Sequence, residues 1–182
     1  FLRKGSILQV IIMILNLNQN RFDMEKKLQV RIVSIKEDSF SVDYDRLPET
    51  KEDCEKNVSP YFGISMSVNE EKSYLTAHAQ VKYILTENSQ DVDIVSLKYS
   101  YTLRISDIYD IIKYPNEKDK TTFEVQNKFI EKFVPDVFAT GRALLAPKLM
   151  NTVLSDFYLP FGGEQDILRR IKENRVTKDK AD

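Results

Sequence analysis

The residue types that most often carry catalysis are scarce in this chain of 182 residues, which has one histidine and one cysteine. His78 lies at a polar position in a run of alternating polar and apolar residues, so we expect it on the wetter face of a strand. Cys54 stands among acidic residues, which raise the pKa of a thiol and oppose the reactive thiolate form. We therefore expect no catalytic residue.

The same counts limit metal and disulfide chemistry. One cysteine excludes an internal disulfide and a cysteine-rich metal site, and one histidine removes the common zinc sites. The acidic residues between positions 49 and 55 do not have the spacing of an EF-hand loop, so we interpret them as a solvated loop. Gly162 and Gly163 precede a predicted helix but lack the rest of a phosphate-binding loop. We expect no metal and no cofactor.

Composition and charge indicate a globular binding domain. The chain is 42% hydrophobic and 30% charged, with 5 glycines and 6 prolines, which excludes a disordered or fibrous protein. Its 27 basic and 28 acidic residues give a net charge of -1, and nucleic-acid-binding domains are normally basic. We expect a protein of the reducing cytoplasm that binds no nucleic acid.

The N-terminal residues differ from the rest of the chain. The apolar run from Val10 to Leu15 is far shorter than the roughly 20 residues of a membrane-spanning helix, so we expect no membrane insertion. No small residues typical of a signal-peptide cleavage site follow it. We expect residues 1–23 to be an extension outside the domain, residues 24–175 to form one domain beginning at Met24, and residues 176–182 to be a charged tail.

Period-two alternation predicts four strands in the first part of the chain. Residues 28–45 change parity and return to it, which predicts a first strand with a bulge or bend near residues 34–38. A charged stretch, residues 47–60, shows no periodicity and is interpreted as a surface crossover. Three cleanly alternating strands follow at residues 62–68, 75–85 and 95–105, joined by polar turns.

Helical periodicity replaces the alternation in the second part. The first helix is predicted to open at Thr121, with Glu124 at the capping-box spacing, and to end or bend at Pro135. A second helical run follows, kinked or broken at Pro147, and a third helix starts near Glu164. Because strands precede helices, the predicted fold class is α+β.

Two motifs in the helical part resemble the SecB protein-export chaperone family. They are Phe-Val-Pro-Asp-Val-Phe-Ala-Thr-Gly-Arg-Ala-Leu-Leu at 133–145 and Leu-Ser-Asp-Phe-Tyr-Leu-Pro-Phe at 154–161. In that family a long helix opens with a Pro-x-Ile/Leu-Leu/Phe stretch, carries an Ala-Arg pair and ends before a Phe-Pro-x-Leu loop. The resemblance covers about residues 28–171. Gly141 replaces the alanine of the pair, and Pro147 and an insertion before the motif indicate a diverged, SecB-like protein.

The resemblance implies both a fold and an activity. The fold is a four-stranded antiparallel Greek-key sheet with helices packed on one face, assembled as a homotetramer, a dimer of dimers. The implied activity is that of an ATP-independent holdase, which binds unfolded polypeptide in an apolar groove without a cofactor and without turnover. Its clients are exported precursors or one dedicated antitoxin, and its partners include the SecA motor or that antitoxin.

The resemblance also implies site residues. One wall of the client groove comprises Leu47, Pro48, Val58, Pro60, Tyr61 and Phe62. The other wall comprises Phe161, Ile167, Leu168 and Ile171. The groove floor or the dimer–dimer contact comprises Val137, Phe138 and Leu145. Acidic sheet residues that recruit the motor in the family correspond here to Asp43, Asp45 and Asp93.

Two other classes of function fit the same residues. The aromatic side chains of the helical part could line an enclosed pocket in a small-molecule-binding or enzymatic α+β domain. The chain could also be a purely structural oligomerisation module. A closed cavity with convergent polar groups favours the small-molecule binder, and an open, elongated groove favours the chaperone.

Overall fold

The computed structural model describes residues 28–116, 122–157, 159–160 and 162–178, the last seven of these by their backbone alone. The predicted extension 1–23, the predicted helix start at Thr121 and the predicted groove residue Phe161 lie outside the described residues. So does the end of the predicted tail.

Four antiparallel strands form the main sheet of the described part. They are β1 (Val30–Val42), β2 (Val58–Asn69), β3 (Tyr74–Glu87) and β4 (Gln90–Ile105), arranged in the order β1-β4-β3-β2. The strands follow the alternation in the sequence, and all four predicted strands are confirmed. The polar turn after β3 contains Asn88 and Ser89, whose φ angles of 50° and 65° match the twist of a two-residue hairpin.

The predicted irregularity in β1 is confirmed as two breaks in its pairing with β4. The register shifts once between Ile32 and Ser34 and again between Glu37 and Ser39. Each shift adds one residue to β1, and the parity of its apolar residues changes at the first shift and again at the second. The two bulges explain why the apolar residues of this strand alternate in two phases.

The crossover between β1 and β2 contains a helix that the sequence analysis missed. Helix α1 (Lys51–Asn57) begins after Thr50, whose hydroxyl accepts a hydrogen bond from the Asp53 backbone N–H at 3.1 Å. Only Cys54 of this helix is buried, so no apolar stripe marks it in the sequence. The crossover also ends earlier than predicted, because β2 begins at Val58.

The predicted helix end at Pro135 and break at Pro147 are wrong, whereas the alternatives of a bend or a kink at these residues stay predictions. Helix α2 (Asn127–Leu149) is one continuous helix that contains both Pro135 and Pro147. Each proline removes a helical hydrogen bond, but the eight buried residues of α2 hold the helix on the sheet on both sides of Pro135. The predicted cap residue Glu124 lies instead in a short strand, β6 (Glu124–Val125), which pairs with β5 (Ile112–Lys113).

The last helix begins where the sequence predicts. Helix α3 (Gly163–Lys178) starts one residue before Glu164 and extends into the first residues of the predicted tail. Gly162 precedes it with a φ of +79°, a conformation that favours glycine. No helix in the described ranges is both long and apolar enough to cross a lipid bilayer.

The core lies between α2 and one face of the sheet. The Tyr99 hydroxyl of β4 donates a hydrogen bond of 2.5 Å to the Val137 carbonyl of α2, and the Tyr101 hydroxyl bonds the Asp136 carboxylate. On β2, the ring of Phe62 lies 5.0 Å from that of Phe138. The predicted α+β class is confirmed, and the opposite face of the sheet is packed against no described helix.

Candidate functional site

One of the two outer strands of the main sheet, β1, leaves a row of apolar side chains in contact with solvent. Strand β1 pairs with β4 along one edge, and no described strand pairs with its other edge. Four large apolar residues near its start are exposed: Val30 45%, Ile32 41%, Val33 44% and Ile35 46%. We call these four residues the β1 apolar row.

Three residues of this row, Val30, Ile32 and Ile35, continue the core face of the sheet, whereas Val33 is a bulge residue without a register partner on β4. Ile32 and Ile35 pair with Leu103 and Tyr101 of β4, whose side chains point to the helix side and are buried. The β4 side chains are therefore buried, whereas the paired β1 side chains, on a strand about 4.8 Å away, are exposed. Helix α2 covers β3 and β4 but does not cover the start of β1.

The end of α2 does reach the second half of β1. Lys148 lies 3.0 Å from the Glu37 carboxylate and 4.5 Å from the centre of the Phe40 ring. Phe40 is half-buried, and so is Val42 at the end of the strand. The apolar row is thus confined to the first half of β1, ahead of the charged residues at its centre.

An exposed apolar edge strand is an unusual feature with a chemical consequence. Its free backbone N–H and C=O groups can pair with an added strand, and natural proteins usually block such edges with charge, proline or a covering segment. The first half of β1 has one charged side chain, Arg31, among apolar neighbours. This edge can bind an extended apolar polypeptide through backbone hydrogen bonds and side-chain burial.

A second candidate surface, a concave one, lies at the crossover between β1 and β2. A pocket of about 420 Å³ contains the half-buried Leu47 and Pro48, two residues of the predicted groove. The other lining residues are Asp45, Arg46, Glu49, Asp53, Asn57, Leu85 and Glu87. Four of the nine lining residues are acidic, so the apolar part of this pocket is small and its rim is negatively charged.

Most of the other predicted groove residues belong to the core. Four are buried within the chain: Val58, Phe62, Ile167 and Leu168. Ile171 is half-buried and Pro60 is exposed. Tyr61 points away from Phe62, to the open face of the sheet, because successive strand residues alternate in direction. The structure therefore does not bring the predicted walls together as one exposed groove.

The predicted floor residues are also internal. Val137, Phe138 and Leu145 are at most 2% exposed and pack within the core of this chain. A dimer–dimer contact through these three side chains is therefore not available in this fold. The solvent-facing side of the same helix carries small apolar residues instead, namely Ala139, Ala143 and Pro147.

Two of the three predicted motor-binding acids lie on neighbouring strands at the end of β1. The Asp43 backbone N–H donates a hydrogen bond of 2.9 Å to the carbonyl of Ile94, the residue after Asp93. Asp93 lies 2.5 Å from Lys82 on the open face of the sheet, and Asp43 lies 3.7 Å from Arg46. Asp45 lines the crossover pocket. Nearby cations therefore offset part of the charge of Asp43 and Asp93.

Residues with catalytic potential are not assembled into a reactive centre in the described part of the chain. His78 is exposed on a strand, and its Nε2 atom lies 2.9 Å from the Ser67 hydroxyl. No carboxylate hydrogen-bonds to this pair in the described part of the chain, and the pair lies outside the crossover pocket. Burial and the nearby Asp53 raise the pKa of the Cys54 thiol, which opposes thiolate chemistry. No metal-ligating cluster occurs among the described residues.

Sequence reasoning missed the β1 apolar row because alternation predicts a face but not what covers it. One signal was present: Ile32 and Val33 are adjacent and both apolar, which breaks the alternation within this strand. Such a break indicates a bulge, and bulges are common at sheet edges.

A scan of the chain against protein-family models finds no match, and a search of the curated proteins finds none. Function is therefore inferred from the residues and their geometry.

Proposed function

We propose that this chain is an ATP-independent holdase chaperone that binds non-native polypeptide segments, as a diverged SecB-like protein. The observation that carries this proposal is the β1 apolar row on an open strand edge. A binder of unfolded chains needs apolar contacts that accept many sequences, and backbone pairing at a strand edge is independent of sequence. No nucleotide or cofactor enters this mechanism.

The energetics suit reversible holding. Fully burying a large aliphatic side chain stabilises a complex by about 1.5–3 kcal/mol, and the side chains of this row have roughly half their surface left to bury. Each therefore contributes on the order of 1 kcal/mol. The ordering of a flexible client opposes these contributions, so the predicted binding is weak and reversible for each segment.

The sheet order supports the family resemblance. Strands β2, β3 and β4 are consecutive hairpin neighbours, and β1 lies beside β4 after a long connection. This is the arrangement expected of a four-stranded Greek-key sheet, with α2 on one face. Leu47 and Pro48 add a small apolar surface at the crossover to the proposed client contacts.

We further propose a cytoplasmic homotetramer, a dimer of dimers, as the resemblance implies. Ala139, Ala143 and Pro147 on the solvent side of α2 allow close approach of a second helix, and Met150 beyond the helix end is 66% exposed. These residues replace Val137, Phe138 and Leu145 as the proposed contact. Clients remain either exported precursors or a dedicated antitoxin, with SecA or that antitoxin as partner.

The test is suppression of aggregation of a chemically unfolded client, without nucleotide, by the full chain and by Ile35→Lys. We expect the unaltered protein to suppress aggregation at about one oligomer per client and Ile35→Lys to lose most of that effect. Tyr44→Lys is the matched control, because Tyr44 is a 67% exposed apolar residue outside the row. Circular dichroism checks the fold of both variants.

Sedimentation of the same samples separates client binding from assembly. Equal suppression by Ile35→Lys and the unaltered chain, both at the same oligomeric state, would contradict the proposal. If Ile35→Lys dissociates the oligomer and still suppresses aggregation, the edge is a subunit contact and not the client site.

A further inference from the structure

The face of the sheet opposite α2 is mostly polar, and Tyr61, Tyr74 and Ile84 are its large apolar or aromatic residues. Its positions follow from the register, which pairs Arg31 with Arg104 and Lys36 with Ser100. Hydroxyl residues occupy much of this surface, which we call the open face. They are Ser34, Ser39, Ser41, Ser59, Ser65, Ser67, Thr76, Ser96, Ser100 and Thr102.

Five cations lie on the open face, and two of them are neutralised locally. Lys82 is paired with Asp93 at 2.5 Å, and Lys36 lies 3.5 Å from Asp38. The other three cations are Arg31, Lys98 and Arg104. All three are exposed, and none has an acidic group within ion-pair distance in the described part of the chain.

Two of these cations face each other directly. Arg31 and Arg104 are register partners on adjacent strands, with their side chains on the same face. Like charges at directly opposite positions destabilise a sheet. Lys98 lies on the same face of β4, at the position that pairs with Ser39. Fold stability therefore does not account for this placement, whereas an anionic partner would turn the repulsion into attraction.

The side chains around these three cations are short, which leaves the charged groups accessible to a partner. The neighbouring hydroxyl side chains are short, and Thr76 and Thr102 hydrogen-bond to each other at 3.0 Å across β3 and β4. The side chains that carry the guanidinium and ammonium groups of the three cations are therefore longer than the hydroxyl side chains beside them. An arginine guanidinium forms paired hydrogen bonds with a carboxylate, which adds specificity to charge attraction.

We infer that the open face is a docking surface for an acidic polypeptide segment of a partner protein. A nucleic acid is the less favoured occupant, because duplex-binding proteins neutralise a series of closely spaced phosphates, whereas the described residues of this face offer three cations without an acidic neighbour. The open face is on one side of the sheet, and the side chains of Ile32 and Ile35 are on the other side, which is the side of the core. This inference goes beyond the proposed holdase activity and can be tested separately from it.

The experiment measures fluorescence anisotropy of a labelled oligoglutamate with the full chain at neutral pH and low salt. An oligolysine and an oligouridylate of matched charge number are the comparison probes. We expect oligoglutamate to bind in preference to both, and its binding to weaken as ionic strength rises, because exposed charges are screened by salt.

Arg104→Glu is the main variant, because it removes the repulsion and places an acid opposite Arg31, which favours the folded sheet. We expect it to weaken oligoglutamate binding by about fivefold or more, since each exposed ion pair contributes up to about a fivefold change in affinity and the new acid also repels the probe. The double variant Arg31→Thr with Arg104→Thr should weaken binding similarly while keeping strand-favouring residues.

Lys128→Glu is the control with an equal change of charge. Lys128 is exposed in the first turn of α2, away from the open face. Equal weakening by Lys128→Glu and Arg104→Glu would overturn the inference, because net charge alone would explain it. Absence of oligoglutamate binding would also overturn it, and tighter binding of oligouridylate would assign the face to nucleic acid instead.

Discussion

The two faces of the main sheet are built from the same strands and have opposite properties. On the helix side, Leu97, Tyr99 and Tyr101 of β4 are at most 1% exposed and pack under α2. On the open side, the intervening Lys98, Ser100 and Thr102 are exposed or half-buried, and no described element covers them. The difference shows that one strand can bury one set of residues in the core and leave the next set in contact with solvent.

The largest expected effect on the free energy of unfolding comes from removing an aromatic ring from the core on the helix side. Phe138→Ala removes a ring that is 2% exposed and lies 5.0 Å from the ring of Phe62 and 5.2 Å from the Arg142 guanidinium. Loss of transfer free energy together with a cavity should lower the free energy of unfolding by about 3–5 kcal/mol. Urea denaturation measures it, and a loss under 1 kcal/mol would show that Phe138 is not packed in the core as described.

A smaller loss is expected where α2 approaches β4 most closely. A Cβ atom at Gly141 would lie 2.8 Å from the Tyr99 hydroxyl and 3.2 Å from Val81. Gly141→Ala should therefore displace Tyr99 or the helix, and overpacking of this kind costs about 1–3 kcal/mol, partly offset by about 1 kcal/mol of helix propensity. Thermal unfolding should show a lower midpoint, and a raised midpoint would contradict this close contact.

This contact also limits what the sequence could predict. The resemblance noted glycine in place of alanine at position 141, but only the fold shows that Tyr99 occupies the space of the missing methyl group. Strand alternation correctly predicted β2, β3 and β4, because each has one apolar and one polar face. Helical periodicity did not predict that α2 continues through Pro135, because the burial of this helix on the sheet is a tertiary effect.

The candidate site was predicted less well for the same reason. The family resemblance implied that Val58 and Phe62 contact a client, and the structure buries both side chains within the chain. Ile32 and Ile35 have the same pattern in the sequence, yet they are exposed because α2 does not reach them. Coverage depends on helix placement, which local patterns do not encode.

The helix side should also respond to alkaline pH. Burial raises the pKa of Tyr99 above its usual value near 10, so the folded chain keeps this proton when the unfolded chain releases it. The contribution of this group to the free energy of unfolding is fully present below pH 10. Above pH 10 it falls by about 1.4 kcal/mol per pH unit. In urea denaturation, Tyr99→Phe should show a shallower loss between pH 10 and 11. Equal slopes for the two proteins would contradict the shift.

The smallest effect is expected on the open face, where the comparison between the faces can be made sharpest. His78 is exposed, and its hydrogen bond to Ser67 is available to solvent. His78→Ala should therefore change the free energy of unfolding by no more than about 0.5 kcal/mol, as exposed substitutions usually do. The control is Ala79→Gly, one residue along the same strand and buried against the helices, which should cost more. If both substitutions cost the same in urea denaturation, the open face contributes to stability as the helix side does. The cations at Arg31 and Arg104 would then need a structural explanation instead of a partner.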